Sequence, residues 1–406
     1  MRKGLVSTIF LLAGMAMTFA IPMNLSKGDY QKLLDKSLLS KGNNARLKAV
    51  ISKMEKGEEV YIACLGGSVT EGECGGDYHQ GYAYQFFDKL KQTYAKKTKG
   101  ANLHFDGAGL SGTPSTLGLV RYQSDVVDVL GHVPDLLVIE FAVNDSGDFF
   151  CQRGFEALIR DALIQNDDTA VIALFSDAKS YKNQQPNMIP IARHYSLPMI
   201  SIQDAVENSG VAVDENLFFN DYVHPKPAGH EVMADALMNL LAVTKKAAAD
   251  EKNALPAECL KNPSLSGLKR ILGDDENVKI SAGAFNKNDS QTQSLKKTNK
   301  GNFPQNWYRS SRSKGDSFKM DIECRSLILV YKVQGSWLSE KFGKAEVYVD
   351  GKLFATYDGG AKNGWNNCES RLIIDEKEAK KHTVEVKMAQ GDEDKGFTIV
   401  AMGYVK

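Results

Sequence analysis

Hydrophobic residues change their spacing twice along this chain. Over 26–58 the apolar positions recur every three or four residues. Leu33, Leu34, Leu38 and Leu39, then Leu47, Val50, Ile51 and Met54, predict two amphipathic helices broken near Gly42-Asn43-Asn44. From residue 60 onward, short uncharged runs alternate with helical patterns. The runs at 60–65, 103–105, 136–143, 170–175 and 199–202 read as strands buried on both faces. Helices are expected at 84–94, 117–130, 155–165 and 189–195, and a last one over 228–243. This alternation predicts a parallel sheet covered on both faces. Beyond residue 270 the period becomes two. Strands are expected at 326–332, 345–349, 353–357, 371–374, 383–388 and 397–404, with Asp350-Gly351 as a hairpin turn. That half predicts an all-β sandwich.

The expected organisation is therefore a signal peptide (1–20), a helical lead-in (21–57), an α/β domain (58–245), a linker (246–270) and the sandwich (271–406). The linker is rich in Lys, Ala, Asp and Glu and contains Pro256 and Pro263. Arg2 and Lys3 precede an apolar stretch, and Thr18-Phe19-Ala20 places small residues where a signal peptidase reads. About 15 apolar residues are too few to span the ~30 Å of a bilayer core. A secreted or periplasmic protein is expected, with no membrane partner once the signal is removed. Fifty basic and fifty acidic residues cancel, so no global field attracts nucleic acid.

Export permits disulfides among the six cysteines. Cys64 lies inside a strand and reads as a buried apolar residue. Cys74 could bridge to Cys151, since both follow strand ends on one rim, and Cys324 could bridge to Cys368 within the sandwich. No CxxC pair supports a zinc or redox site. GxxxxGK is absent, as is GxGxxG at the first strand–helix turn, so a nucleotide site has no support.

Four short segments carry the candidate chemistry. Leu65-Gly66-Gly67-Ser68-Val69-Thr70-Glu71-Gly72 follows the first strand, and the 106–113 segment DGAGLSGT follows the second. Glu140-Phe141-Ala142-Val143-Asn144-Asp145 ends the third, and Asp221-Tyr222-Val223-His224-Pro225 precedes the last helix. In a parallel sheet such segments reach one edge. A serine hydroxyl needs a base, and His224 is the candidate; Asp221 can orient its other ring nitrogen. His230, inside the last helix, reads as packed or exposed. The oxyanion donors would be the backbone N–H of Ser68, the backbone N–H of Gly112 and the side-chain amide of Asn144. Taken singly, each segment is also an ordinary turn or strand-end cap.

Together the four segments resemble the SGNH hydrolases, also called the GDSL esterase/lipase family. Position by position, Ser68, Gly112, Asn144 and the Asp221/His224 pair correspond to its four blocks. Gly67 stands where the family name has aspartate, and Ala142 replaces the glycine usual before the block-three asparagine. The resemblance implies a flavodoxin-like three-layer α/β/α domain and ester hydrolysis through an acyl-enzyme, without metal or organic cofactor. The segments GGSVTEG and EFAVND look more like a bacterial branch of carbohydrate esterases.

An exported hydrolase with an appended sandwich suggests an acetylated polysaccharide or oligosaccharide as substrate, of the plant xylan or mannan type. The alternatives are a short-chain GDSL lipase or lysophospholipase, and a non-catalytic glycan-binding protein. Trp337 and Trp365 sit in loop-like contexts and are candidate substrate contacts, with core or interface packing as the competing reading. Trp307 is the weaker case.

Overall fold

The computed structural model describes residues 22–179, 181–273, 275–298 and 300–406. The expected signal peptide lies outside the described residues. Among those described, no helix is long and apolar enough to cross a membrane.

The first half builds one sheet from β1 (Leu38–Ser40), β2 (Val60–Gly66), β3 (Leu103–Gly109), β4 (Leu136–Glu140), β5 (Ala170–Phe175) and β6 (Met199–Ser201). Its order is β1-β6-β5-β4-β2-β3, and β2 through β6 are mutually parallel. The parallel part has the flavodoxin-like arrangement, in which β2 lies centrally between β3 and β4. Side chains alternate strictly between its two faces. Ile62, Cys64, Leu136 and Val138 join the core under helices Ala45–Lys56, Tyr82–Thr93 and Pro227–Lys246. Ala63, Leu65, Leu137 and Ile139 join the opposite core under Ser115–Tyr122, Phe149–Gln165 and Gln185–His194. The domain is α/β/α.

One lead-in element differs from expectation. Leu38 and Leu39 belong to β1, which pairs antiparallel with β6, rather than to a helix. The preceding helix ends at Ser37, so the lead-in supplies an edge strand and makes the sheet mixed.

The second half is an antiparallel β-sandwich. Its strands are β7 (Lys269–Arg270), β8 (Val278–Ser281), β9 (Ser294–Leu295), β10 (Lys300–Gly301), β11 (Trp307–Arg309), β12 (Phe318–Val333), β13 (Lys344–Val349), β14 (Lys352–Asp358), β15 (Asn367–Met388) and β16 (Phe397–Val405). β12 and β15 are long and shared between the layers. Residues 319–322 of β12 pair with β8, whereas 326–331 pair with β16, and bulges between Cys324 and Ile328 separate the two halves. The bulges switch which face each side chain occupies. Asp350 and Gly351 both take positive φ, 52° and 76°, and form the hairpin turn between β13 and β14. β7 shows that the sandwich begins inside the segment expected as linker.

The two halves share a core. Leu265, Phe303, Ile328, Val330, Cys368, Val400 and Ala401 from the second half pack in one cluster with Leu117, Phe155 and Phe175 from the first. Arg153 pairs with Asp375 at 2.9 Å, and Thr116 Oγ1 meets Ser370 Oγ at 2.8 Å across the same seam.

The expected disulfides are absent: all six cysteines are free thiols. Cys74 Sγ donates to the Asp77 carbonyl at 3.4 Å, and Cys151 Sγ meets Ser146 Oγ at 3.3 Å. Cys324 pairs across β15 with Lys380, while Cys368 faces Lys332, eight residues further along β12. At ~3.3 Å per residue they lie roughly 25 Å apart, far beyond the ~7 Å that a bridge allows. They also belong to different cores.

Beneath the first strand ends lies a buried acid. Glu140, at the end of β4, accepts from Thr70 Oγ1 at 2.9 Å and from Ser176 Oγ, and Thr70 Oγ1 also meets Tyr82 Oη at 2.9 Å. Burial outweighs these hydrogen bonds and pushes its carboxyl up to about 7.

Two outcomes follow from these contacts. Denatured without reductant, the chain should titrate six thiols with a disulfide reagent; two or four would restore a bridge. Native Glu140 holds a proton that the unfolded chain releases near pH ~4.3, so its ionisation removes stability as pH rises toward 7. Glu140→Gln, whose amide can pair with both hydroxyls, should melt above the parent at pH 8, with the gap closing by pH 5. Scanning calorimetry at both pH values reads this; an equal gap would contradict it.

Candidate active site

Three adjacent strands bring three of the four segments to one rim. Gly66 of β2 is in register with Gly109 of β3 and Glu140 of β4. The chain therefore leaves all three strands at one level, and Ser68, Gly112 and Asn144 follow within a few residues. Close approach is required here. A Cβ on Gly66 would stand 2.1 Å from Thr70 Oγ1, and one on Gly109 would stand 2.0 Å from Glu71 N. Ser68 opens a single helical turn, Ser68–Glu71, and is buried to 6% exposure.

The fourth segment arrives from the loop before helix Pro227–Lys246. His224 Nε2 lies 2.8 Å from Ser68 Oγ, and its Nδ1 lies 2.7 Å from Asp221 Oδ2. The other oxygen, Asp221 Oδ1, accepts from the backbone N–H of Val223 and of His224, both at 2.8 Å. Burial acts to raise the Asp221 carboxyl, but the His224 N–H, the imidazole and the Val223 N–H outweigh it and hold it below the usual carboxylate range. The aspartate thus stays charged beside Nδ1–H, which leaves Nε2 free to accept the serine proton. The loop itself is pinned by Asn220 N donating to the His224 carbonyl at 2.8 Å and Lys179 N to the Tyr222 carbonyl at 2.9 Å.

Gly112 takes φ +65°, which only glycine adopts freely. Its N–H has no acceptor among the described residues. Asn144 sits in a turn closed by its own N–H to the Phe141 carbonyl at 3.0 Å. The carboxamide lies against Gly67, where a Cβ would stand 2.0 Å from Asn144 Oδ1. Gly67, the residue that departs from the family motif, makes the space that this amide fills. Asn144 Oδ1 is buried without a partner among the described residues. Gly112 and Asn144 share the wall of a cleft of about 210 Å³ with Phe150 and, from the sandwich, Cys368, Glu369 and Arg371.

The tryptophans separate. Trp365 is 41% exposed, and its indole lies directly over Gly112, where an added Cβ would meet Cζ2 at 2.6 Å. Trp337 is 65% exposed and folds over Gly335 of its own loop. Trp307 packs edge-on against Phe318, with ring centroids 5.6 Å apart. His230 is fully buried, with Nδ1 accepting from Tyr82 N at 3.1 Å and Nε2–H donating to the Glu73 carbonyl at 3.2 Å; burial drives its pKa down to about 4. It is a structural histidine.

Several contacts were not legible in the sequence. Glu71, next to the nucleophile turn, accepts from Ser111 N at 2.9 Å and from Lys296 N at 2.9 Å. Asp145 accepts from Ser115 N at 2.6 Å and Ser115 Oγ at 2.7 Å, and its carboxyl is pushed up to about 7 by burial. Lys297 of the second half reaches Asp106 at 2.5 Å, and Lys296 pairs with Glu73. The acidic partners lie in or beside the motifs, but the basic ones lie 191 and 223 residues away.

Known proteins resemble this chain in both of its halves. A family model described as the GDSL-like Lipase/Acylhydrolase family matches residues 64–232. No curated protein sequence matches the chain. Among solved structures, a two-domain esterase active on acetylated mannans aligns with TM-score 0.77 and 28% identity, covering 92% of this chain and 99% of its own. A structure of such an esterase co-crystallized with mannopentaose aligns with TM-score 0.76 and 26% identity, over 92% of this chain and 98% of its own. The segment that holds Ser68, Gly112, Asn144, Asp221 and His224 is a domain of the GDSL/SGNH lipase–acylhydrolase family, joined in this chain to a β-sandwich.

Proposed function

We propose that the protein is an exported serine esterase that removes O-acetyl groups from an acetylated polysaccharide, with mannan favoured over xylan. The observation that carries this reading is the hydrogen-bonded series Ser68–His224–Asp221, together with the sandwich's Trp365 lying over Gly112. The similarity to an esterase active on acetylated mannans, extending over both domains, supports the substrate class.

In this mechanism Ser68 Oγ attacks the acetyl carbonyl carbon while His224 Nε2 takes the hydroxyl proton. The carbonyl π pair moves onto oxygen, facing the N–H groups of Ser68 and Gly112 and the Asn144 amide. The pair returns, the bond to the sugar oxygen breaks, and that oxygen takes the proton from His224. Water then repeats the sequence on acetyl-Ser68 and releases acetate. Asp221 keeps one imidazole tautomer and balances the imidazolium charge. Trp365, over Gly112, offers an aromatic face to a pyranose ring.

Ser68→Ala should abolish acetate release while keeping the melting temperature. Asp221→Asn should be milder than His224→Ala on 4-nitrophenyl acetate, because the aspartate only orients and stabilises the base; the reverse order would contradict the assigned roles. Trp365→Ala should raise KM for acetylated manno-oligosaccharide about tenfold, the equivalent of ~1.4 kcal/mol, and leave 4-nitrophenyl acetate nearly unchanged. Acetate assays on acetylated mannan and xylan, run beside 4-nitrophenyl octanoate and palmitate, decide the substrate. Preference for the long chains would favour a lipase, and no turnover on any of them a binding protein.

A further inference from the structure

The peptide that joins Ser111 to Gly112 faces two ways. A trans peptide holds its carbonyl oxygen and its N–H on opposite sides of one rigid plane. On one side Gln293 Nε2 donates to the Ser111 carbonyl at 2.5 Å. On the other, the Gly112 N–H stands without an acceptor among the described residues, and Gly112 lines the cleft beside Asn144. Whatever fixes the carbonyl therefore fixes the aim of the N–H. The point matters because the C-terminal partner in this peptide is glycine. A glycine tolerates both signs of φ, so the plane can turn over at little steric cost unless something outside holds it.

Gln293 is well placed to hold it. It belongs to the second half of the chain, 182 residues from Ser111, and is 6% exposed. Its backbone carbonyl accepts from Asn302 N at 2.7 Å, and the neighbouring Thr292 Oγ1 donates to the Asn302 carbonyl at 2.8 Å. Four residues earlier, Asp289 forms a buried ion pair with Lys332 of β12 at 2.5 Å and accepts from Thr398 Oγ1 of β16 at 2.7 Å. The arm is thus tied to two sandwich strands. Glu71 holds the N–H and hydroxyl of Ser111 from the other direction, at 2.9 and 2.5 Å. The Gln293 Oε1 atom is buried without a partner among the described residues, so the amide's hydrogen bonding is committed through its NH₂ group.

We propose that Gln293 is a positioning residue. It holds the Ser111 carbonyl so that the Gly112 N–H meets the oxygen that becomes negative during acyl transfer. The sandwich thereby completes the oxyanion hole of the hydrolase domain. This inference rests on the esterase reading above.

The test uses the full chain, with 4-nitrophenyl acetate and its thiono analogue, in which sulfur replaces the carbonyl oxygen. Sulfur is a weak hydrogen-bond acceptor, so the ratio of oxo-ester to thiono-ester kcat/KM reports the oxyanion donors themselves. Loss of one whole donor lowers kcat about 10²- to 10³-fold. Misaiming it in Gln293→Ala should lower kcat for the oxo-ester about tenfold or more, with KM within about twofold and the oxo/thiono ratio falling by a similar factor. Gln293→Glu, which sets a carboxylate against the Ser111 carbonyl, should fall further. His224→Ala should slow both esters alike and leave the ratio in place. A reduced folded fraction also cancels in the ratio, so poor folding cannot mimic the effect. An unchanged ratio in Gln293→Ala overturns the inference. Turnover persisting in Ser68→Ala would instead overturn the esterase reading, a result separate from the behaviour of Gln293.

Discussion

At two of three adjacent strand ends, Gly66 and Gly109, no side chain fits, and the placement of the nucleophile turn depends on that crowding. Gly66 is wedged between Thr70 and the Glu140 carbonyl, and Gly109 against the backbone of Glu71. The parallel register of β2 with both neighbours makes the contact possible. Once the ends are level, the turn after β2 can only project Ser68 outward over the sheet edge. The loop of His224 then has a fixed target. Any Cβ at either glycine must push the nucleophile turn off its seat, so the geometry of the hydroxyl is set by backbone packing before any catalytic hydrogen bond forms.

Charge placement follows the same logic of enclosure. Glu140 and Asp145 lie buried under the site, and burial raises both carboxyls to about 7. Asp221 sits at the solvent edge, where three donors keep it charged. Neighbouring acids are thus pushed in opposite directions by environment alone: those beneath serve as hydrogen-bonded struts, and the one at the rim serves the histidine.

The sandwich is more than a passenger on the hydrolase domain. It contributes Trp365 over Gly112, Glu369 and Arg371 to the cleft wall, and the arm of Gln293 and Lys296 that grips the second and first motif loops. The arm hangs on the buried Lys332–Asp289 pair. Removing one partner of such a pair typically costs about 3–5 kcal/mol, because the other charge is left buried and alone. A continuous core across the seam holds the two halves in one relation, and a shared apolar interface of this kind restrains relative motion.

Local pattern determined the layers. Buried runs such as 60–65 and 170–175 are short, uncharged and bounded by turns, and so could be placed as strands without any tertiary information. The four motifs were legible for a related reason: a serine nucleophile, its base and its donors each need a particular residue type at a strand end or before a helix. Other features exist only through contacts distant in sequence. Leu38 and Leu39 continue a helical spacing, yet pairing with β6 makes them an edge strand. The charged stretch at 375–381 hid the fact that β15 is one long strand, because its exposed middle carries no alternation. Cysteine positions suggested bridges, and strand register set Cys324 and Cys368 far apart. Gln293 carries no local signal at all, since a lone glutamine in a loop acquires a role only when folding brings a particular carbonyl to it.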